Sequence, residues 1–386
     1  MKILMVRMWP YELDINNYNC QETGLAKAIV NKGHTCDIVL YTNTEAHTEN
    51  IRLNGDKKIT IYYLNAKNIL KNAFYDKALY SLIGNYDIVQ TSEYDQLANI
   101  KLMKKTNGKM VIYHGPYKSE FTKGYKIKCL ISDLYFFFHK KYKNTACIAK
   151  SILAEEFLKS KGFTNIKTAG VGLDTKRFGN NTIKSEAVKQ LEEEKQKKGL
   201  KYILYIGKLE ERRSILMLLE AAKKAMEKDS SLHFILIGNG EAEYVNSCLN
   251  YIKQNNLESK ITHIKSLPNE QVEFVFKMSD AFLLATQYEI FGMVMLEAMY
   301  FGTPVITTEN GGSATLIKNG ENGIICSTLN SNSWAEAILS LSSNKQLKNK
   351  ISQNAEDTVK NNFTWDILAD KFIDIYKNTA KMKGTD

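Results

Sequence analysis

The chain has 386 residues, of which 44% are hydrophobic and 24% charged, and a formal net charge of +10. That length allows two domains with a core each, and the composition excludes a disordered or fibrous chain. No apolar run approaches a membrane span, and the amino-terminal MKILMVRMWP is too short and strand-like for a secretory leader. A cytoplasmic protein is expected, and its six scattered cysteines, with no CxxC pair, are expected to be free thiols rather than disulfides or metal ligands.

From residue 2 to about 178, short apolar runs alternate with amphipathic stretches. Strands are expected over 3–6, 37–40, 59–64, 87–90, 110–113 and 146–149, and a helix over 22–31 that stops at Gly33. Such alternation implies a parallel sheet covered on both faces, with ligands beyond the carboxyl ends of its strands. The strand over 110–113 runs into His114-Gly115-Pro116, so His114 is expected at that ligand edge; a strand-end histidine bonded to a loop carbonyl is the alternative. Glu93, which ends the preceding strand, is a candidate for touching an acceptor.

The charge is uneven. Residues 101–150 hold twelve lysines against Glu120 and Asp133, a local excess of +10 that accounts for the whole net charge. Within 118–143 the lysines interleave with Tyr125, Tyr135, Phe136, Phe137, Phe138 and Tyr142, a mixture suited to an anionic membrane surface. A solvated lysine face over core aromatics is the plainer alternative, and nucleic acid is not expected as a partner.

The second half restarts the alternation after a charge-laced helix that ends in VKQLEEEKQKKG, expected as a linker over 179–200. Domains are expected over 1–178 and 201–364, with a closing helix over 365–386 whose apolar residues fall at helical spacing. The strand over 202–206 leads into GKLEERRS, where Gly207 is followed by two cations, Lys208 and Arg213, that suit a diphosphate. Gly238 and Gly240 follow the strand over 234–237, and Ser266 and Leu267 sit in the turn HIKSLP.

Residues 285–323, ATQYEIFGMVMLEAMYFGTPVITTENGGSATLIKNGENG, carry the densest signal. Glu289 precedes a helix whose first-turn amides, at Phe291, Gly292 and Met293, make a ready anion site. Glu297 lies about 12 Å further along that helix, among Val294, Met295, Leu296, Ala298 and Met299. A carboxylate in that setting needs a partner, and a core acid neutralised by a lysine is the alternative to a ligand contact.

EIFGMVMLE, followed in order by EAM, GTPVIT and GG, resembles the E-x7-E signature of retaining glycosyltransferases of family 4. The resemblance implies the GT-B fold, two Rossmann-like doubly wound domains facing a central cleft, with the last helix crossing back to the first domain. It also implies transfer of a sugar from a nucleotide-sugar donor, UDP- or GDP-linked, with retained configuration and no metal ion. The acceptor would be a saccharide or a lipid-linked saccharide in surface-polysaccharide assembly, such as capsule, O-antigen or lipopolysaccharide. In that scheme Glu289 orients the transferred sugar, with His114 beside the reacting centre. Lys208 and Arg213 hold the diphosphate together with the amides of 291–293, while Glu297 binds the ribose.

GVGLDTKRF, residues 170–178, resembles the family's interdomain turn. Departures are visible: Met8–Gln21 replaces the family's Gly-Gly loop, leaving Asn17 and Asn19 as side-chain donors; the cations at 208 and 213 exchange types; Lys265 stands for a glycine; Thr315 stands for a glutamate. A dinucleotide-dependent oxidoreductase would need GxGxxG after a first strand, which neither half has. A non-catalytic carbohydrate-, membrane- or nucleic-acid-binding protein would leave the acids and cations without a joint purpose.

Overall fold

The computed structural model describes residues 1–15, 20–118, 124–179 and 183–381. Asn17 and Asn19 lie outside them. The chain divides into two compact units, one of Met1–Gly172 with Phe363–Asp386 and one of Leu173–Asn362.

The first unit runs β1 (Lys2–Val6), α1 (Gln21–Asn31), β2 (Thr35–Tyr41), β3 (His47–Arg52), β4 (Lys58–Leu64), β5 (Ala66–Ile69), β6 (Asn72–Tyr75), α2 (Lys77–Ile83), β7 (Ile88–Ser92), α3 (Ala98–Thr106), β8 (Met110–His114), α4 (Tyr125–Phe138), β9 (Ala146–Ala149), α5 (Ile152–Ser160) and β10 (Ile166–Thr168). Its main sheet has the order β10-β9-β8-β7-β1-β2-β4-β3, parallel except for β3. The strand order reverses between β1 and β7, which makes that the ligand-binding edge of such a sheet. Central strands such as KILMV and MVIYH are apolar because both faces are covered. β3 and the β5–β6 hairpin were not expected: HTENIR is polar and exposed along most of its length, with no alternation to read.

The second unit runs α6 (Glu186–Lys198), β11 (Lys201–Ile206), α7 (Ile215–Lys228), β12 (Leu232–Ile237), α8 (Ala242–Gln254), β13 (Ile261–Ile264), α9 (Asn269–Met278), β14 (Ala281–Leu284), α10 (Met293–Tyr300), β15 (Val305–Thr308), α11 (Ser313–Leu316), β16 (Ile324–Cys326), α12 (Ser331–Ser343) and α13 (Lys345–Asn362). All six strands are parallel, in the order β13-β12-β11-β14-β15-β16, with the reversal between β11 and β14.

Two boundaries differ from expectation. The division falls after Gly172, and the stretch expected as a linker over 179–200 contains α6, which buries Val188 and Leu191 and counts with the second unit. Its charged faces dominate the composition and hide the two core residues. The closing helix, α14 (Trp365–Lys381), packs on the first unit as expected. Trp365 lies between two glycines there: a Cβ at Gly24 or at Gly172 would come within 2.4 Å of its indole. Phe372 meets Tyr113 edge-on at 5.3 Å, and Tyr376 donates a 2.6 Å hydrogen bond to Gln90.

Candidate active site

In the second unit the loops that leave the carboxyl ends of the strands are fastened to one another, and glycines allow the close approach. Gly238, at φ 149, would place a Cβ 1.8 Å from the Gly207 carbonyl oxygen, and Gly240 one 1.9 Å from that of Leu209. Backbone hydrogen bonds from Gly207 to Ile237 and from Leu209 to Asn239 close the seam. These glycines therefore fit loop to loop, a backbone reason for GxG that needs no ligand contact. His263 continues the chain of contacts, its Nε2 2.9 Å from the Gly238 carbonyl oxygen; beyond it Ser266 is exposed and Leu267 half-buried.

At the reversal point, Gln287 N donates to the Arg212 carbonyl, and the Arg212 guanidinium donates to the Tyr288 carbonyl at 2.6 Å. That fastening brings together Arg213, from the loop after β11, and Glu289, from the loop after β14, with Nη2 2.7 Å from Oε2. Arg213 has a second acid at longer range, Nε lying 3.7 Å from Glu210 Oε1, and its buried Nη1 has no hydrogen-bond partner among the described residues. Glu210 also gathers Arg212 at 2.8 Å and the exposed Lys208 at 3.8 Å. Three cations around two acids leave the loop after β11 positive, which suits a phosphate ligand.

The loop after β15 completes the set. The Asn310 side chain accepts from the amides of Gly312 and Ser313, and Gly311 N donates to the Glu289 carbonyl at 3.0 Å. Gly312 is pressed against the Glu289 loop so closely that a Cβ there would lie 1.7 Å from the Phe291 carbonyl oxygen. Thr315, where a glutamate resemblance failed, donates its hydroxyl back to the Gly311 carbonyl.

The start of the helix differs from expectation. α10 begins at Met293 with Gly292 as its cap at φ 76, and the amides of Met295 and Leu296 already bond to the Gly292 carbonyl. The amides without an intrahelical acceptor are thus those of Met293 and Val294, while Phe291 is buried ahead of the first turn. Glu297 is 1% exposed and its carboxylate is paired with the Arg177 guanidinium, so the buried acid is neutralised by an arginine. The neutralising group comes from GVGLDTKRF, where the sequence showed only a turn. An arginine about 120 positions before an acid carries no sequence signal of pairing.

The first unit has its own buried cluster at the carboxyl ends of β7 and β8. His114 was expected to open onto a ligand; instead it is 0% exposed, with Nδ1 2.9 Å from Glu93 Oε2 and its ring stacked 5.6 Å from Phe157. Its Nε2 is buried without a hydrogen-bond partner among the described residues. Glu93, held at φ 49, was expected to touch an acceptor; it is 4% exposed and serves as an internal counter-ion, meeting Lys150 Nζ at 3.4 Å and accepting from Gly115 N at 2.8 Å. Burial pushes its carboxyl up, but Lys150, His114 and the Gly115 amide outweigh burial and hold it at about 2. Beside them Lys128 reaches the buried Asp95 at 2.8 Å, a second internal ion pair that went unread. The reversal point between β1 and β7 opens into a small hollow of about 40 Å³ lined by Arg7, Glu22, Gln90, Thr91, Tyr113 and Lys150. No three His, Cys, Asp or Glu side chains of the described residues are grouped to hold a metal ion.

Known proteins share this architecture along the whole chain. Sucrose-phosphate synthase from Thermosynechococcus elongatus superposes with a TM-score of 0.74 at 16% identity, covering 99% of this chain and 100% of that one. Anabaena HepE in complex with UDP superposes at 0.73 and 15% identity, covering 98% and 100%. The fold is therefore α/β of the GT-B type. Within it, residues 188–358 match the model of the family Glycosyl transferases group 1. An uncharacterized glycosyltransferase of Methanocaldococcus jannaschii is 29% identical over 184 residues, 48% of this chain and 46% of that protein. The chain spans about half the length of the curated relatives it matches.

Proposed function

We propose that this protein is a retaining, metal-independent glycosyltransferase that takes a sugar from a UDP- or GDP-linked donor. The observation that carries the reading is the meeting of Arg213 and Glu289 at the reversal point of the second sheet, a cation and an acid supplied by separate loops. Strand spacing supports it: the turn at Ser266 and the loop of Glu289 leave strands three places apart, about 14 Å, a span suited to a nucleotide sugar laid along the edge. The likeness to a structure holding UDP points the same way.

In this reading Ser266 and Leu267 flank the base, and Lys208 with Arg213 grips the diphosphate. Arg213 exchanges part of its hold on Glu289 for phosphate oxygens and offers its unpartnered Nη1. The amides of Met293 and Val294 add to the anion site, and Gly207, Gly238 and Gly240 keep the loops close enough to serve one ligand. Glu297 acts at the ribose end together with Arg177. Glu289 orients the sugar. The bond from its anomeric carbon to the diphosphate breaks with the electron pair leaving on the phosphate, and the acceptor oxygen attacks the same face while its proton passes to that phosphate. The protein contributes position and charge stabilisation. His114 and Glu93 are positioning residues for the first unit's ligand edge.

The acceptor is a saccharide or lipid-linked saccharide of a surface polysaccharide, handled by a cytoplasmic enzyme at the inner membrane face. The lysine-rich segment over 118–143 supports that placement. Incubating the protein with a panel of nucleotide sugars and measuring free nucleotide tests the enzymatic claim. Release from one UDP- or GDP-sugar is expected, and no release from any of them would overturn it.

A further inference from the structure

α4 buries one side and leaves the other bare. Tyr125, Lys128, Cys129, Ser132 and Phe136 face inward. The opposite arc, about 120° at 100° per residue, is occupied without interruption by Ile127, Leu130, Ile131, Leu134, Phe137 and Phe138. Their exposures are 60%, 69%, 38%, 58%, 62% and 71%. A helix apolar on both faces has something to cover the outer one.

The surrounding charge identifies the cover. Lys126, Lys140 and Lys141 are exposed along the rim, and Lys140 Nζ sits 5.9 Å from the centre of the Phe137 ring. The helix's acid, Asp133, is already held by Lys161 at 2.6 Å. A second copy of this chain would bring lysine rim against lysine rim, whereas anionic headgroups complement it. α4 has 14 residues, about 21 Å, too short to cross a bilayer and long enough to lie along one.

We infer that α4 is a monotopic docking helix for an anionic phospholipid bilayer, with its six-residue apolar arc in the acyl boundary and its lysines on the phosphates. This rests on the membrane-surface part of the proposed function and is independent of its donor chemistry. Co-sedimentation with phosphatidylglycerol-containing vesicles, against pure phosphatidylcholine, tests it. The wild-type chain is expected to pellet with the anionic vesicles. Leu130→Glu with Phe137→Glu should lower the partition coefficient roughly a hundredfold. Lys140→Gln with Lys141→Gln should lower it about fivefold per lysine. Both variants should keep the wild-type circular dichroism, since these side chains are exposed. Wild-type failure to bind, acidic variants that bind unchanged, or a wild-type chain that dimerises through this face would each overturn the inference. Nucleotide release measured without vesicles reports separately on catalysis, so the two claims fail independently.

Discussion

Arg213 Nη2 and Glu289 Oε2 lie 2.7 Å apart, although the residues leave β11 and β14 by different loops and are separated by two-fifths of the second unit's sequence. The pair is mostly buried, with side-chain exposures of 15% and 18%, so each charge depends on the other for solvation. Replacing Glu289 by Ala should lower sugar transfer by about 10²–10³-fold, because an acid that orients the sugar acts in the transition state. It should also lower stability by about 1–3 kcal/mol, since the guanidinium loses its partner. Turnover and melting temperature measured on the same preparation check both; unchanged turnover would remove Glu289 from the mechanism.

The cations predict a salt signature. Wild-type nucleotide affinity should fall as ionic strength rises, because Lys208 is exposed and its attraction for a diphosphate is screened. Lys208→Ala combined with Arg213→Ala should bind nucleotide weakly at low salt and show little further loss at high salt. Titrations of UDP and GDP between low and high salt provide the comparison. Parallel slopes for the two proteins would assign the diphosphate elsewhere.

Much of this was legible in sequence because it is local. The central strands of both sheets, β1, β8 and β11 among them, read as largely apolar runs, and the stretch over 285–323 holds its acids, glycines and helix within a few turns of chain. What escaped depends on contacts between distant segments. β3 is held by pairing with β4 rather than by its own polar residues. Arg177 finds Glu297, and Lys150 finds Glu93, only once the strands are assembled. His114 was correctly placed at a strand end, yet its burial was not visible, since Phe157 and Tyr94 close over it from other elements. Gly24 and Gly172 looked ordinary until Trp365 arrived between them.

Glycines in the site give a sharper test than its charges. At Gly312 an added Cβ meets the Phe291 carbonyl oxygen, backbone that cannot move without shifting Glu289. Gly312→Ala should therefore cost about 1–3 kcal/mol and weaken donor binding as well. Gly320, at φ 76 with open space around it, is the control: alanine there should cost only about 1 kcal/mol through backbone strain, with donor binding unchanged. Equal losses of affinity in both variants would show that the Gly312 contact does not shape the site.

Glu93 links the first unit's stability to pH. Its folded carboxyl is held at about 2 against an ordinary 4.5, so on acidification the unfolded chain takes up the proton first. The stability it contributes is complete above pH 4.5 and disappears as the pH falls through 2, a difference of about 3 kcal/mol for a fully buried group. Glu93→Gln should be less stable than wild type at pH 6, and the gap should close on acidification as Lys150 loses its counter-ion in both proteins. The chain has two units and need not unfold in one step, so hydrogen exchange of the β7 and β8 amides reads this cluster directly. A gap that stays constant from pH 6 to pH 3 would mean that Glu93 contributes by packing and hydrogen bonding alone, without its charge.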